Sequence, residues 1–377
     1  MGTPVTVLEV TNSKELSLFV KLPLTLYAGD PLYSPQLTKD LKKHFCPYDN
    51  PFFEFSTVKF YLAYRGTPNS EKNCVGRVVS IINKRHLEYH NDGAGFFGFF
   101  ESVNDEQVSS ALLDAVRGDL KPAGLRVMRG PMSFSTNEEC GFLLDGFNLP
   151  PMIMTPYNPP YYNDLIRSYG MEKVKDLYAY IVDVPDVMPE KVYRAAAIAE
   201  KKGITARLIS MDKLTDDLML FKDLYNAAWK DNWGFIPITD GEIEYTGQQM
   251  KQIIYPETVV IAMCGTETVG FLGLIPDANF VLRHMGGKFN PITMAKAVYL
   301  SKKIRDARLM LLGTKAEYRN RGVDGLLFRE AFKGCKKHRI ERVEFSWILE
   351  DNVPVQMLIK MIGGVRYKTF RIYERAV

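Results

Sequence analysis

Leu311-Leu312-Gly313-Thr314-Lys315-Ala316-Glu317-Tyr318-Arg319-Asn320-Arg321-Gly322-Val323-Asp324-Gly325-Leu326-Leu327 joins an apolar strand to an amphipathic helix through a basic turn punctuated by glycine. Such a turn leaves the first N–H groups of the helix without backbone partners, beside the positive end of the helix dipole. Arg319 and Arg321 add two full charges there. The stretch therefore predicts an anion site at the helix start. Asp324 opposes this reading, because a carboxylate repels an anion unless an arginine neutralises it or it points away. The bland alternative is an ordinary strand-to-helix turn with a solvated basic tip.

Outward from this stretch, the order of elements occurs twice. In the second half, a strand at 206–209 precedes helices at 216–230 and 248–254 and a hairpin over 259–274. The strand at 309–313, a helix over 325–337 and a strand at 342–349 follow. The first half, read from Phe52, has strands at 58–64, 75–82 and 96–101, a helix over 104–120 and a strand at 125–130. A charged helix at 189–202 reads as the connector. Both halves end on an Asn-led helix and a glycine turn, at Asn158 to Gly170 and at Asn352 to Gly364. The implied domains are 1–185, a linker at 186–204, and 205–377. The fold class is α/β (α+β), with a mixed central sheet flanked by helices in each half.

A chain of 377 residues exceeds the usual size of one hydrophobic core, which agrees with two domains. A hydrophobic content of 46% with 24% charged residues is ordinary for a globular protein. The net charge of +4 suits an anionic small molecule and falls short of the concentrated charge of a nucleic-acid binder. Five scattered cysteines without a Cys-x-x-Cys pair argue for free thiols. With no signal peptide and no long apolar run, a cytoplasmic location without a transmembrane segment is expected. Met1-Gly2-Thr3-Pro4-Val5-Thr6 formally matches a short myristoylation pattern. The five histidines lack metal-ligand spacing, so no metal is expected.

Strand, Glu-Tyr-Arg-x-Arg-Gly-x-x and helix together resemble the diphosphate loop of the GCN5-related N-acetyltransferase (GNAT) superfamily, which cradles coenzyme A. Tyr318, Arg319, Gly322 and Leu327 are in register with that pattern, while Ala316, Asn320 and Asp324 depart from it. The motifs 96–101, Arg129-Gly130-Pro131, 137–141, Leu144-Asp145-Gly146-Phe147 and 346–352 are similar to those of a bacterial tandem-GNAT family of YghO-like proteins. Bacterial ceramide synthases lie in or near that group. The resemblance implies an N-acyltransferase that moves an acyl group from acetyl-CoA or a longer acyl-CoA to a primary amine.

On that resemblance, Leu312, Gly313, Thr314, Arg319, Asn320, Arg321, Gly322, Val323, Asp324 and Gly325 form the coenzyme A site. Glu350 is the first choice of base for the amine, Asn352 orients the cofactor, and Ser346 lies on the facing strand with Glu344. The Glu350-Asp351-Asn352 run reads equally well as a helix N-cap. The place of the usual tyrosine acid holds Ile359, and Tyr367 lies further on, so the acid stays unassigned. In the first half, Ser102-Val103-Asn104-Asp105-Glu106 offers carboxylates and no glycine or arginine at the corresponding helix start. That half is expected not to bind coenzyme A.

Trp229, Asn232, Trp233 and Phe235 sit between the first two helices of the second half and suit an apolar acyl chain or a lipid-like amine; a buried domain interface is the alternative. The connection over 276–308 carries helical spacing at 294–304 with Lys296, Lys302, Lys303 and Arg305, which suits a lid, an acyl-chain wall, peripheral membrane contact or simple packing. Two other readings compete. One is a Fem-type aminoacyltransferase using aminoacyl-tRNA, which calls for a basic track that the modest charge does not supply. The other is a non-catalytic ligand-binding protein that kept the fold.

Overall fold

The computed structural model describes residues 3–68 and 70–377, so Met1 and Gly2 of the myristoylation pattern lie outside the described residues. The first half opens with β1 (Val5–Glu9), α1 (Ser13–Leu26) and α2 (Thr38–His44), before the point at which the sequence pattern became readable. The Asn12 side chain starts α1 by accepting from the amides of Lys14 and Glu15. There follow β2 (Ser56–Arg65), β3 (Cys74–Asn83), α3 (Lys84–His90), β4 (Ala94–Ser102), α4 (Glu106–Leu120) and β5 (Val127–Gly130). Short strands β6 (Met132–Ser133), β7 (Glu139–Cys140) and β8 (Phe142–Asp145) precede α5 (Tyr162–Ser168) and the long β9 (Glu172–Asp183).

The second half contains α6 (Glu190–Lys201), β10 (Ile204–Leu208), α7 (Leu214–Trp229), α8 (Asp240–Met250), β11 (Val259–Cys264) and β12 (Glu267–Pro276). It continues through α9 (Asn279–Met285), α10 (Pro291–Ser301), β13 (Asp306–Thr314), α11 (Val323–His338), β14 (Arg342–Leu349), α12 (Val353–Met361) and β15 (Val365–Ala376). Helix α8 begins earlier than the spacing suggests. Thr239 and Glu242 form a reciprocal capping box, which sets the start of the helix at Asp240 instead of 248.

Strand order and sense are the same in both halves. β1-β2-β3-β4 are antiparallel neighbours and β4 pairs parallel with β5; β10-β11-β12-β13 are antiparallel and β13 pairs parallel with β14. A helix makes the crossover in each case, α4 and α11, as a parallel connection requires. Two compact units result, and they cut the chain differently from the contiguous halves expected above. One unit comprises Met1–Leu177, Leu282–Ala297 and Lys368–Val377; the other comprises Tyr178–Val281 and Val298–Tyr367. The physical reason is strand pairing: the end of β15 lies antiparallel to β5, with Tyr373 opposite Gly130, and Arg371 makes a two-bond ion pair with Asp176 of β9.

In the second unit, alternate residues of β11 serve two cores. Val260 and Ala262 pack with Leu326, Leu327, Ala331 and the alanines of α6. Val259 and Ile261 pack with Phe221 and Leu224 of α7 and Ile243 of α8. β11 is thus covered on both faces.

Candidate active site

β13 and β14 stay paired from Asp306 opposite Arg342 to Leu309 opposite Phe345, and the pairing then ends. A bulge accounts for the parting. β12 pairs Gly273 with Leu311 and Leu274 with Leu309, so Met310 is an extra residue on β13. A bulge bends its strand and leaves a residue outside the ladder. Met310 to Thr314 and Ser346 to Leu349 therefore line an opening between strands whose roots are fixed.

A buried polar network sits at that root. Arg308 and Glu344 are register partners, and their side chains are almost completely shielded, at 3% and 0% exposure. Arg308 Nε donates to Ser346 Oγ at 2.7 Å, and the Ser346 hydroxyl donates to Glu344 Oε1 at 2.5 Å. The Tyr367 hydroxyl donates to Glu344 Oε2. The Arg308 guanidinium lies 3.5 Å from Glu344 and 4.7 Å over the Trp347 ring. Burial, then the adjacent Glu344 charge, pushes the Tyr367 phenol far above its ordinary range, so it remains a hydrogen-bond donor throughout the physiological range.

Among the residues selected from sequence, Ser346 is a member of this network. Glu350 is half-buried in the turn after β14, and its carbonyl accepts from Gln356 Nε2 at 2.9 Å. Four residues of extended strand span about 13 Å, so Glu350 and Ser346 address different parts of the opening. Asn352 is the N-cap of α12, accepting from the Val355 amide at 3.4 Å, as the capping alternative anticipated.

Thr314 donates to Asp324 Oδ1 at 2.6 Å, which ties the carboxylate that opposed an anion to the end of β13. Asn320 and Gly322 take left-handed backbone at φ 60° and 87°. Gly322 and Gly325 are required by helix packing: a β-carbon would fall 2.1 Å from the Ala195 carbonyl oxygen at Gly322 and 2.5 Å from Ala195 Cβ at Gly325. Val323 is buried beside Gly270, while Arg319 and Arg321 are exposed. The loop is braced by Glu267, which accepts from Lys315 at 2.6 Å and from Tyr318 at 2.9 Å. No side chain caps the start of α11.

Leu312 and Gly313 lie on the parted section of β13, and Gly313 carries the Trp229 ring: a β-carbon there would stand 2.5 Å from the ring. Trp229 stacks on Tyr225 at 5.0 Å, and Phe235 joins Tyr225 at 5.7 Å. Asn232 and Trp233 form the turn between them, with the Asn232 amide donating to the Trp229 carbonyl at 2.8 Å. Asn226 grips both backbone groups of Ile238, which fixes where this aromatic loop returns.

The sequence reading did not find Arg308 or the role of Tyr367. A charge in the middle of an apolar strand, as in Val343-Glu344-Phe345, was the available signal for a buried partner; nothing local marks Tyr367.

The first half differs at the corresponding place. β4 leaves β5 after Phe96 opposite Arg129, and its bulge falls near Phe99, at φ 48°. Its own chain then closes in, since a β-carbon on Gly98 would stand 1.7 Å from the Met132 carbonyl oxygen. Glu101 is buried and accepts from Tyr27 at 2.8 Å and Tyr162 at 2.7 Å, with Arg77 at 3.5 Å. The Asp105 carboxylate caps α4.

Among solved structures, the chain superposes on a tandem GNAT protein from the clavulanic acid biosynthesis pathway with a TM-score of 0.57 at 11% identity, covering 99% of this chain and 98% of that one. A GCN5-related N-acetyltransferase from Sphaerobacter thermophilus gives 0.52 at 11% identity, over 98% and 95%. No family model matches. Protein YghO of Escherichia coli (strain K12) is 29% identical over 372 residues, 97% of this chain and 94% of that protein. A bacterial ceramide synthase of Caulobacter vibrioides (strain NA1000 / CB15N) is 30% identical over 380 aligned positions, 98% of this chain and 97% of that protein. The chain belongs to the family of the bacterial ceramide synthase, and its fold is that of the tandem GNAT proteins. No helix is long and apolar enough to cross a membrane, and no cluster of possible metal ligands occurs, among the described residues.

Proposed function

We propose that this tandem GNAT protein is an acyl-CoA-dependent N-acyltransferase whose acceptor is a primary amine on an apolar, lipid-like molecule. The observation that carries the proposal is the opening of β13 from β14 directly above the buried Arg308–Ser346–Glu344–Tyr367 network. Acyl transfer from a thioester to an amine forms the amide C–N bond as the C–S bond breaks, and it needs a route for the amine proton, donors for the carbonyl oxygen and a proton for the leaving thiolate, which solvent supplies. Ser346 is placed to pass the amine proton to Glu344, and the backbone amide at the Met310 bulge is the proposed donor for the thioester oxygen. Tyr367 and Arg308 hold Glu344 in place. Glu350 and Asn352 act further along the opening, where the cofactor and acceptor enter.

The diphosphate of coenzyme A fits the uncapped start of α11, with Arg319 and Arg321 exposed beside it and Asp324 tied to Thr314. Trp229 over Gly313, with Tyr225 and Phe235 behind it, supplies apolar surface next to the reacting groups. The name of the Caulobacter relative, bacterial ceramide synthase, supports a long-chain amide as product. The first half serves as scaffold, a role supported by the close approach of Met132 to Gly98 and by the buried Glu101, which accepts from Tyr162. The test is amide formation from palmitoyl-CoA and a long-chain amino alcohol by the purified protein, compared with acetyl-CoA and a small polar amine. Turnover of the polar pair alone would refute the lipid-like acceptor, and release of coenzyme A from neither pair would refute the enzyme.

A further inference from the structure

The segment between Asp277 and Asp306 contains no acidic residue, yet it carries Arg283, Lys288, Lys296, Lys302, Lys303 and Arg305. It also presents apolar side chains to solvent: Ile292 is 81% exposed, and Phe289, Val298 and Tyr299 are each more than half exposed. On α10 Thr293, Ala297, Leu300 and Ser301 turn inward. A helix with apolar residues round most of its circumference is normally buried; this one covers itself on a single narrow side. Lys303 lies 4.3 Å over the Tyr299 ring and Lys39 lies 5.9 Å over Phe289, so ammonium groups rim the apolar residues.

We infer that α10 and the turn before it dock on the surface of an anionic lipid bilayer. Charge decides the occupant. The exposed Lys288, Lys296, Lys302 and Lys303, in a segment without a carboxylate of its own, match a negatively charged headgroup layer, while Arg305 is paired with Glu341 at 3.5 Å; Phe289, Ile292, Val298 and Tyr299 are the size and polarity of side chains that settle at the headgroup–acyl boundary. A second protein copy is the weaker fit, because pairing this surface with itself would bring the lysines together. Exposed apolar residues also occur on α12, where Val353, Met357 and Met361 form a stripe, but Lys360 is the only charge on that helix. It therefore serves as an internal comparison. The inference stands on surface composition and does not depend on the proposed reaction.

The experiment is sedimentation of the full chain with extruded vesicles of pure phosphatidylcholine and of phosphatidylcholine with phosphatidylglycerol at 3:1, at low and at physiological salt. Binding to the anionic vesicles is expected, weakening with salt, with little binding to the neutral ones. Lys296→Glu with Lys303→Glu, and separately Ile292→Glu with Tyr299→Glu, should each lower the partition coefficient by about tenfold or more. All four sites are exposed, and an unchanged thermal melt shows that the variants fold. Met357→Glu should leave partitioning intact. Equal binding of wild type and both α10 variants, loss only with Met357→Glu, binding indifferent to phosphatidylglycerol, or a dimer that the α10 variants dissociate without lipid would each overturn the inference.

Discussion

The ring of Trp229, at the end of α7, rests on the backbone of Gly313, where β13 has already left β14. Helix α7 and strand β13 are far apart in sequence, and glycine is the residue that lets an indole approach this closely. An alanine at 313 would put its β-carbon 2.5 Å from the ring and force Trp229 to move. Gly313→Ala should cost about 1–3 kcal/mol of stability by overpacking and lower activity more than the melt alone accounts for. Denaturant unfolding measured beside turnover separates the two effects.

If Trp229 lines the path of an acyl chain, affinity should climb from acetyl-CoA to palmitoyl-CoA by up to about 0.8 kcal/mol for each CH₂ buried. Trp229→Ala should flatten that series and leave acetyl-CoA nearly unaffected. Dissociation constants along the chain-length series decide the matter. A series already flat in the wild type would place the aromatic loop in structural packing instead.

Glu344 and Glu350 make opposite predictions. Glu344→Gln should reduce kcat by about a hundredfold or more and alter the pH profile, because the proton acceptor is lost. Arg308 would also lose its counter-charge, and breaking a buried pair costs about 3–5 kcal/mol, so the melt must be recorded. Tyr367→Phe should retain the carboxylate and cost about 1.5–3 kcal/mol through one missing charge-assisted hydrogen bond. Glu350→Gln should leave kcat within about threefold, which is under 1 kcal/mol of barrier. A larger loss at Glu350 than at Glu344 would return the base to the position chosen from sequence.

For the cofactor, Arg319→Ala with Arg321→Ala should weaken coenzyme A binding by about 2 kcal/mol or more, since two charge-assisted contacts to phosphate vanish. Asp105→Ala with Glu106→Ala in the first half should lower stability by loss of the α4 cap while leaving that affinity unchanged. Calorimetric titration reads both. An arginine double variant that binds normally would remove the loop from the site.

Acid stability should report His86. Burial, reinforced by the His90 and Arg129 charges and opposed by Asp92, lowers its pKa to about 4, so the folded chain keeps it neutral. The unfolded chain, with an ordinary imidazole near 6.5, takes up a proton between those values. Stability must therefore fall as pH drops from about 6.5 towards 4, by roughly 3 kcal/mol in total from this group. His86→Gln should flatten the dependence in that window, measured by urea unfolding at a series of pH values.

Local patterns were enough for most elements. β14 runs over the residues its apolar spacing marks, and the glycine turn at 322 opens α11 as its composition suggests. The start of α11 without a side-chain cap and the exposed arginines before it were legible too, because both are properties of a short contiguous stretch. β1 and α1 were missed: half-buried strands and helices carry weak periodicity, and the Asn12 cap was the only strong local sign.

The working surfaces belong to the tertiary structure. Tyr367 reaches Glu344 only because β15 follows the turn at Gly363 and Gly364 back towards β14, and Arg308 faces Glu344 only through the parallel register. The last residues of the chain complete the sheet of the first unit by pairing with β5, a partner 245 positions away at Arg129 and Glu374. Spacing along a chain encodes which face a side chain takes within its own element. Which elements meet is set by packing and hydrogen-bond pairing summed over the whole fold, and that sum placed the network under the opening.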